Sequence, residues 1–179
     1  MGFGSDVDEI MNRYPYLQMA LMLILDDAHA HNRTTIDKHG NPVVHYKLDE
    51  KIKKAFIHSL RACARLVFAA GASRAHLPGS KQFFIQAHEL DKIDELINDK
   101  TFKLGPVSVN SAHLMGGCRM GDDPNTSVSN SWGKVHGFEH LYVADASLFP
   151  SCSEVNPYLT IMALADRVAQ GIKQDIIKG

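Results

Sequence analysis

The stretch 111–169 reads SAHLMGGCRMGDDPNTSVSNSWGKVHGFEHLYVADASLFPSCSEVNPYLTIMALADRVA. His113 opens a glycine-rich segment, which a turn-rich region connects to the apolar run 141–144 and then to a final helix pattern. Glycine permits positive φ and the close approach of backbone to a ligand. Because no earlier part of the chain is as dense in specific residue choices, we expect this stretch to carry the function.

An Asn-Pro pair, Asn156 and Pro157, predicts the start of the last helix, since Asn is a favoured N-cap and Pro a favoured first helical residue. The free N–H groups and positive dipole end of its first turn would favour an anion or an electron-rich ring edge. The apolar residues that follow at helical spacing predict a buried stripe. They are Leu159, Met162, Ala163, Ala169, Ile172 and Ile176.

The rest of the chain predicts a mixture of strands and helices. The apolar run 17–25 indicates a strand buried on both faces, although its Leu, Met and Ala content also permits a helix. Residues 34–36 with 43–46 indicate a hairpin. A helix is expected over 50–70, with Asp49 as its N-cap and Gly71 as its C-cap. Further expectations are a turn at Pro78 and Gly79, a short strand over 83–85, a helix over 89–98, a strand over 107–109 that delivers His113, and a buried strand over 141–144.

Composition excludes several classes of protein. The 179 residues are 45% hydrophobic and carry a net charge of −1, and the basic residues are scattered, which argues against a nucleic-acid partner. The three cysteines form no pair of the CxxC type, as expected of reduced thiols in the cytoplasm. The charged N-terminal residues do not resemble a signal peptide, and the run 19–25 is too short for a membrane span.

Other chemical groupings in the sequence are weakly supported. His29 with His31 and His136 with His140 have spacings that metal ligands can use, but no carboxylate or thiol completes either set, so we expect loops and no metal. Cys118 follows His113 without a third group to orient a nucleophile. Ser151 and Ser153 lack the G-x-S-x-G sequence of a serine hydrolase.

Three segments together resemble the C-terminal signature of the glucose-methanol-choline (GMC) flavin-dependent oxidoreductases. Residues 113–121 are similar to the family pattern H-x-x-G-T/S-x-R-M-G, 141–150 to LYVxDxSxFP, and 156–165 to N/H-P-x-x-T-I-x-A-L-A. Gly117 departs from the pattern, because many members carry a hydroxyl residue there. The resemblance implies an α+β fold, in which 1–110 is part of a substrate-binding region with an antiparallel sheet flanked by helices. Residues 111–179 would be the catalytic segment that returns to an FAD-binding domain.

The resemblance also implies roles for individual residues in the oxidation of an alcohol CH–OH group. His113 would act as the base toward the substrate hydroxyl, a task that suits an imidazole, and Asn156 would hold the substrate oxygen. Asp145, Ala146, Asn156, Pro157, Tyr158 and Leu159 would lie against the FAD. Arg119 is interpreted as a structural residue that ties down the glycine segment through its several donors, in preference to a ligand of the flavin phosphate.

The dinucleotide fingerprint G-x-G-x-x-G of this family is absent from the sequence. We therefore expect most of the FAD site to lie in a missing N-terminal half or subunit, whether the chain is an excised segment, the product of a truncated gene or part of a split enzyme. Apolar surface left without that partner would promote self-association. The alternative is a non-catalytic remnant or interaction module. The sequence leaves open which small-molecule alcohol is oxidised and whether the enzyme is an oxidase or a dehydrogenase.

Overall fold

The structure is a computed structural model that describes residues 4–77, 84–103 and 107–178. The chain divides into two compact units. The first comprises Met1–Ile24 and Leu48–Asn110, and the second Leu25–Lys47 and Ser111–Gly179. Helices and two separate two-stranded antiparallel sheets are present, which is consistent with the expected α+β class, although the described residues form two small sheets where one was expected.

The first unit is built around one long helix. Its elements are α1 (Ser5–Asn12), α2 (Glu50–Ala69), β3 (Arg74–His76), β4 (Phe84–Gln86) and α3 (Ile93–Leu96), with 3-10 turns at Tyr14–Tyr16 and Ala87–Lys92. The prediction of a helix over 50–70 is confirmed. The Asp49 carboxylate accepts from the N–H of Lys51 at 3.2 Å, and Gly71 follows the helix with φ of +92°. Hydrogen bonds from Gly71 to Phe68 and from Ala72 to Val67 complete the C-terminal cap.

One face of α2 contributes to the core of the first unit. The buried residues of this core are Ile57, Leu60, Ala64, Ile85, Ile93, Ile97 and Phe102. Val107 and Val109 pack partly against it, so the alternation seen in the sequence reflects burial, but no strand forms over 107–109. The predicted helix over 89–98 is divided into a 3-10 turn and the four residues of α3. Residues 78–83 and 104–106, which include the predicted turn at Pro78, lie outside the described residues.

The apolar run 17–25 is not the buried strand that the sequence predicts. No regular element is assigned over 17–29, and Leu17, Met19, Leu21, Leu23 and Leu25 are exposed. A strand is buried on both faces only when neighbouring strands and layers cover it. None of the strands in the described ranges pairs with this run, so most of its side chains stay in contact with solvent, while Met22 packs partly against the core of the first unit.

The second unit contains a hairpin and the C-terminal helix. Its elements are β1 (Arg33–Ile36), β2 (Pro42–His45), a 3-10 turn (Ala146–Leu148) and α4 (Tyr158–Lys178). The predicted hairpin is confirmed, with Arg33 opposite His45 and Ile36 opposite Pro42. Its turn is closed by the Asp37 carboxylate, which accepts from the backbone N–H groups of His39 and Asn41 at 2.8 and 2.9 Å.

The predicted buried strand over 141–144 is reduced to a single bridge between Tyr142 and Lys134. Leu141 is exposed, and the backbone partners of this run come from a preceding loop, since the N–H of Val143 donates to the carbonyl of Gly133 at 2.8 Å. The segment is therefore held by loop contacts rather than by a sheet.

Helix α4 forms as predicted but packs on a different face. Val168 and Gly171 are buried, and Ile161, Leu164 and Ile172 are half-buried. Leu159, Met162 and Ile176 of the predicted stripe are exposed. The helix carries apolar residues on more than one side, and only a packing partner decides which side is covered. Within the described ranges, no helix is long and apolar enough to cross a membrane.

Candidate active site

The glycine-rich segment lies along the 3-10 turn at Ala146–Leu148. Alternate backbone N–H groups, those of Gly116, Cys118 and Met120, donate to the carbonyls of Ala146, Ser147 and Leu148 at 3.2, 2.9 and 2.9 Å. Gly116 has φ of +82°, and a Cβ at this position would lie 3.3 Å from the carbonyl oxygen of Phe149. Glycine is required here for both its conformation and the close approach of two backbones.

Arg119 ties this segment to the turn that follows it. Its Nε donates to the carbonyl of Thr126 at 2.5 Å, and its own carbonyl accepts from the N–H of Val128 at 3.0 Å. These bonds support the structural role expected from the sequence. Next to them is a surface cleft of about 480 Å³, lined by Gly116, Gly117, Arg119, Asn125, Thr126, Ser127 and Val128.

Of the two histidine pairs, only His136 is shown to tie parts of the framework together. His136 Nε2 lies 2.9 Å from Ser127 Oγ and 3.2 Å from the Gly121 carbonyl, which joins two turns. His140 is almost fully exposed beside Glu139. The rings of His29 and His31 stack with centroids 5.1 Å apart. Among the residues that the structure describes, no group of three His, Cys, Asp or Glu side chains could hold a metal ion.

Asp145 caps the 3-10 turn against which the glycine segment lies. Its Oδ1 accepts from Ser147 Oγ at 2.5 Å and from the Ser147 N–H at 2.8 Å. Two hydrogen bonds hold the pKa of the Asp145 carboxyl below its ordinary value. The larger effect comes from the side chain of Ser147, and the smaller one from its backbone N–H. The carboxylate is thus engaged in holding the backbone of Ala146, whose carbonyl receives the Gly116 N–H.

The flanks of His113 and Asn156 meet at one contact. The N–H of Ser153 donates to the sulfur of Met115 at 3.4 Å. Met115 is two residues after His113, and Ser153 is three residues before Asn156. The Ser153 hydroxyl donates to the carbonyl of Val155 at 2.8 Å and shapes the loop just before Asn156. His113 and Asn156 are themselves exposed, so their side chains are accessible to another molecule.

Helix α4 begins one residue later than the Asn-Pro pair predicts. The carbonyl of Pro157 accepts the first intrahelical bond, from the N–H of Ile161 at 2.8 Å, so buried Pro157 takes the N-cap position in place of Asn156. Tyr158 and Leu159 are exposed, and the backbone N–H groups of the first turn have no acceptor within the helix. Donors of this kind at a positive dipole end favour an anion or an electron-rich ring edge.

An acidic pair adjoins the loop before Asn156. Burial raises the pKa of the Cys152 thiol, and the negative charges of Asp26 and Asp27 raise it further. Asp26 Oδ2 accepts from the hydroxyl of Tyr46 at 2.6 Å.

Sequence reasoning missed the contacts of Met115, Asp26 and Tyr46. No sequence signal could have identified them, because these contacts join positions 20 or more residues apart.

Comparison with known proteins gives consistent matches. The family model described as GMC oxidoreductase matches residues 29–165. The chain is 30% identical over 189 aligned positions to paromamine 6'-oxidase of Streptomyces fradiae, covering 98% of this chain and 30% of that protein. It is 32% identical over 173 positions to a GMC-type oxidoreductase of Mycobacterium tuberculosis, covering 94% and 26%. Over 136 positions it is 29% identical to a long-chain-alcohol oxidase of Arabidopsis thaliana, covering 73% and 18%. The chain thus spans less than a third of the length of each relative.

Proposed function

This chain belongs to the GMC oxidoreductases, and from that premise we propose that it contributes the catalytic side chains and one wall of the flavin site in an FAD-dependent oxidation of an alcohol CH–OH group. The name of one relative, a long-chain-alcohol oxidase, supports a hydroxyl group as the site of oxidation, and that of paromamine 6'-oxidase supports an oxidation. The remainder of the FAD site belongs to a partner polypeptide or to a further part of the same protein.

In this proposal His113 accepts the proton of the substrate hydroxyl. A base in this role must reach a substrate from outside the protein, and the exposed position of His113 permits that. The segment after it is fixed by the three N–H bonds to the turn at Ala146–Leu148, so the histidine lies just before a rigid anchor. Asn156 would hold the substrate oxygen through its side-chain amide, which is also exposed.

The start of α4 would face the flavin. When bound, the flavin supplies the hydride acceptor of the reaction and gains negative charge on its pyrimidine edge. The free N–H groups that follow Pro157, at Tyr158 and Leu159, would stabilise that charge. Asp145 and Ala146 would pass close to the same ring, and the Ser147 bonds to Asp145 would keep this backbone in place.

The observation that carries the proposal is the Ser153–Met115 contact. Catalysis by two residues far apart in sequence requires that the fold hold their backbones in one neighbourhood. This contact joins the segment of His113 to the loop of Asn156 at the point where both enter the candidate site. His113 and Asn156, which flank this contact in sequence, are both exposed.

The proposal is tested in the complete flavin-loaded protein by stopped-flow measurement of flavin reduction. His113→Ala is expected to lower the rate of reduction by about 10²- to 10⁴-fold, because proton transfer to a positioned base contributes that much. His140→Ala is the matched control, since His140 is exposed and lies outside the candidate site. A change of only a few-fold in His113→Ala would remove His113 from the role of base.

The alternative of a non-catalytic module gives a different result in the same experiment. It predicts no flavin reduction by any alcohol, even when the chain is supplied together with a polypeptide that carries the dinucleotide fingerprint. A screen of aliphatic, aromatic, sugar and sterol alcohols would decide between the two, and it would also name the substrate class.

A further inference from the structure

One face of α4 is docked along a single loop, residues 131–143, which we name the docking loop. The Arg167 guanidinium lies 4.1 Å from the centroid of the Trp132 ring and donates from Nε to the Ser131 carbonyl at 2.8 Å. Gly171, one turn further along, faces Trp132. A Cβ added at Gly171 would lie 3.4 Å from the Cβ and Cε3 atoms of the tryptophan. Asp175 Oδ2 accepts from Lys134 Nζ at 2.7 Å and from the Tyr142 hydroxyl at 2.5 Å. Three successive turns of the helix therefore contact the loop.

Gly133 lies tightly packed between Val168 of α4 and the backbone at Val143. Its φ is +75°, and a Cβ at this position would lie 2.4 Å from the carbonyl oxygen of Val143 and 2.5 Å from Val168 Cγ2. Val168 is only 2% exposed, so it has little room to move. Any side chain larger than hydrogen would force the helix or the 143 backbone away.

The docking loop is continuous with the backbone that holds the glycine-rich segment. Val143 donates its N–H to the Gly133 carbonyl at 2.8 Å. Two residues later Asp145 caps the turn whose carbonyls accept from Gly116, Cys118 and Met120. A short rigid path therefore runs from α4 through Gly133 and Val143 to the anchor of the His113 segment.

We propose that Gly133 and Arg167 are positioning residues, which set the start of α4, with Asn156 before it, relative to the His113 segment. This inference rests on the proposed function for its catalytic meaning, but the coupling itself is a property of the second unit. It accounts for a glycine at a contact of α4 that leaves no room for a Cβ, because only the absence of a side chain lets the helix approach the backbone that anchors the opposite side of the site. Arg167 holds the helix in the same position from its exposed edge.

The test compares Gly133→Ala with Gly137→Ala in the 179-residue chain by amide hydrogen exchange. Gly137 also has positive φ, at +78°, but a Cβ there would meet no atom within 4 Å. The control therefore reproduces the backbone strain without the steric conflict. Relative to that control, Gly133→Ala is expected to raise exchange by about tenfold or more at the Ile161 amide, which makes the first bond of α4, and at the Cys118 and Met120 amides. Amides of α2 in the first unit serve as an internal reference.

Equal exchange in the two glycine variants would overturn the proposal, and so would a rise confined to the neighbours of residue 133. If Gly133→Ala does not fold, Arg167→Met answers the same question. Arg167 is exposed, and its loss removes the stacking and the Ser131 bond. We expect amide exchange at Ile161 to become about two- to fivefold faster, because a stacked cation is lost. An unchanged exchange rate at Ile161 would contradict the coupling.

A second readout connects the coupling to catalysis. In the complete flavin-loaded protein, Gly133→Ala is expected to lower kcat for flavin reduction by about tenfold while KM changes by less than about twofold. A merely structural role would lower the amount of folded protein and leave kcat per bound flavin unchanged, which would refute positioning. If His113→Ala leaves flavin reduction unchanged, the proposed function fails, whereas the exchange result on the chain alone still decides whether Gly133 couples the two segments.

Discussion

The backbone N–H of Ser153 donates to the sulfur of Met115 across 3.4 Å, although the two residues are 38 positions apart in sequence. Met115 follows His113 closely, and Ser153 precedes Asn156 by three residues. A thioether is a weak acceptor, so this bond directs the loop more than it stabilises the protein. It is the structural relationship on which the proposed pairing of His113 and Asn156 depends.

Met115→Leu should remove the sulfur acceptor without leaving a cavity, since the Leu and Met side chains have similar volumes. We expect the Ser153 amide to exchange a few-fold faster, and the free energy of unfolding to fall by less than about 1 kcal/mol. Met120→Leu repeats the substitution in the same segment away from Ser153 and should leave the Ser153 amide unchanged. Identical exchange in both variants would show that the sulfur does not hold the loop.

Asp145 should make the second unit sensitive to acid. Its folded pKa lies below its ordinary value of 3.8 because Ser147 donates to the carboxylate. The stabilisation is therefore present above the unfolded pKa and is lost as the pH falls from about 4 through the folded pKa. Asp145→Asn, which retains an acceptor oxygen, should remove this dependence on pH. Asp145→Ala should in addition lose up to about 1 kcal/mol at neutral pH as a lost cap.

Thermal unfolding of the wild type and the two Asp145 variants measures both the acid dependence and the loss of the cap. The measurements run from pH 3 to pH 7, roughly the span over which carboxylates titrate. A wild-type protein whose unfolding shows the same acid dependence as Asp145→Asn would contradict the assignment.

The pKa of Tyr46 should lie above the ordinary value of a tyrosine. Burial and the bond to Asp26, with its negative charge, raise the pKa of Tyr46 to about 12 from an ordinary 10.0. Folding favours the protonated phenol, so this contribution to stability is present below pH 10 and is lost as the pH rises toward about 12. Ultraviolet titration of phenolate absorbance should show a late step that Tyr46→Phe removes. Asp26→Asn should move the step to lower pH, and an unmoved step would exclude Asp26 as a cause.

The uncovered face of α4 should drive association of the 179-residue chain. Leu159, Met162 and Ile176 are 63%, 54% and 74% exposed on a helix that also has a packed face. Exposed apolar surface of this kind promotes association. Ile176→Lys should reduce the sedimentation-equilibrium mass at high concentration, whereas Gln174→Lys, which adds the same charge at an exposed polar position, should not. Equal behaviour of the two variants would assign any association to another surface.

The capped and turn-closed elements of this chain could be predicted from neighbouring residues alone. Helix α2 has its cap at Asp49 and its end at Gly71, and the hairpin has its turn at Asp37, because each is held by bonds that reach only a few residues along the chain. The three family segments could likewise be recognised, since each is a short pattern of residue types. The candidates His113 and Asn156 came from those patterns and stay predictions.

Tertiary structure decided which apolar side chains are buried and which distant residues contact each other. The run 17–25 is apolar enough for a buried strand, yet it is largely exposed because no described strand pairs with it. Helix α4 has two apolar sides, and the docking loop selected the one centred on Val168 and Gly171. The contacts of Ser153 with Met115 and of Tyr46 with Asp26 join distant positions. Caps and turns depend on groups nearby in the chain, whereas burial and pairing depend on partners that only folding brings within reach.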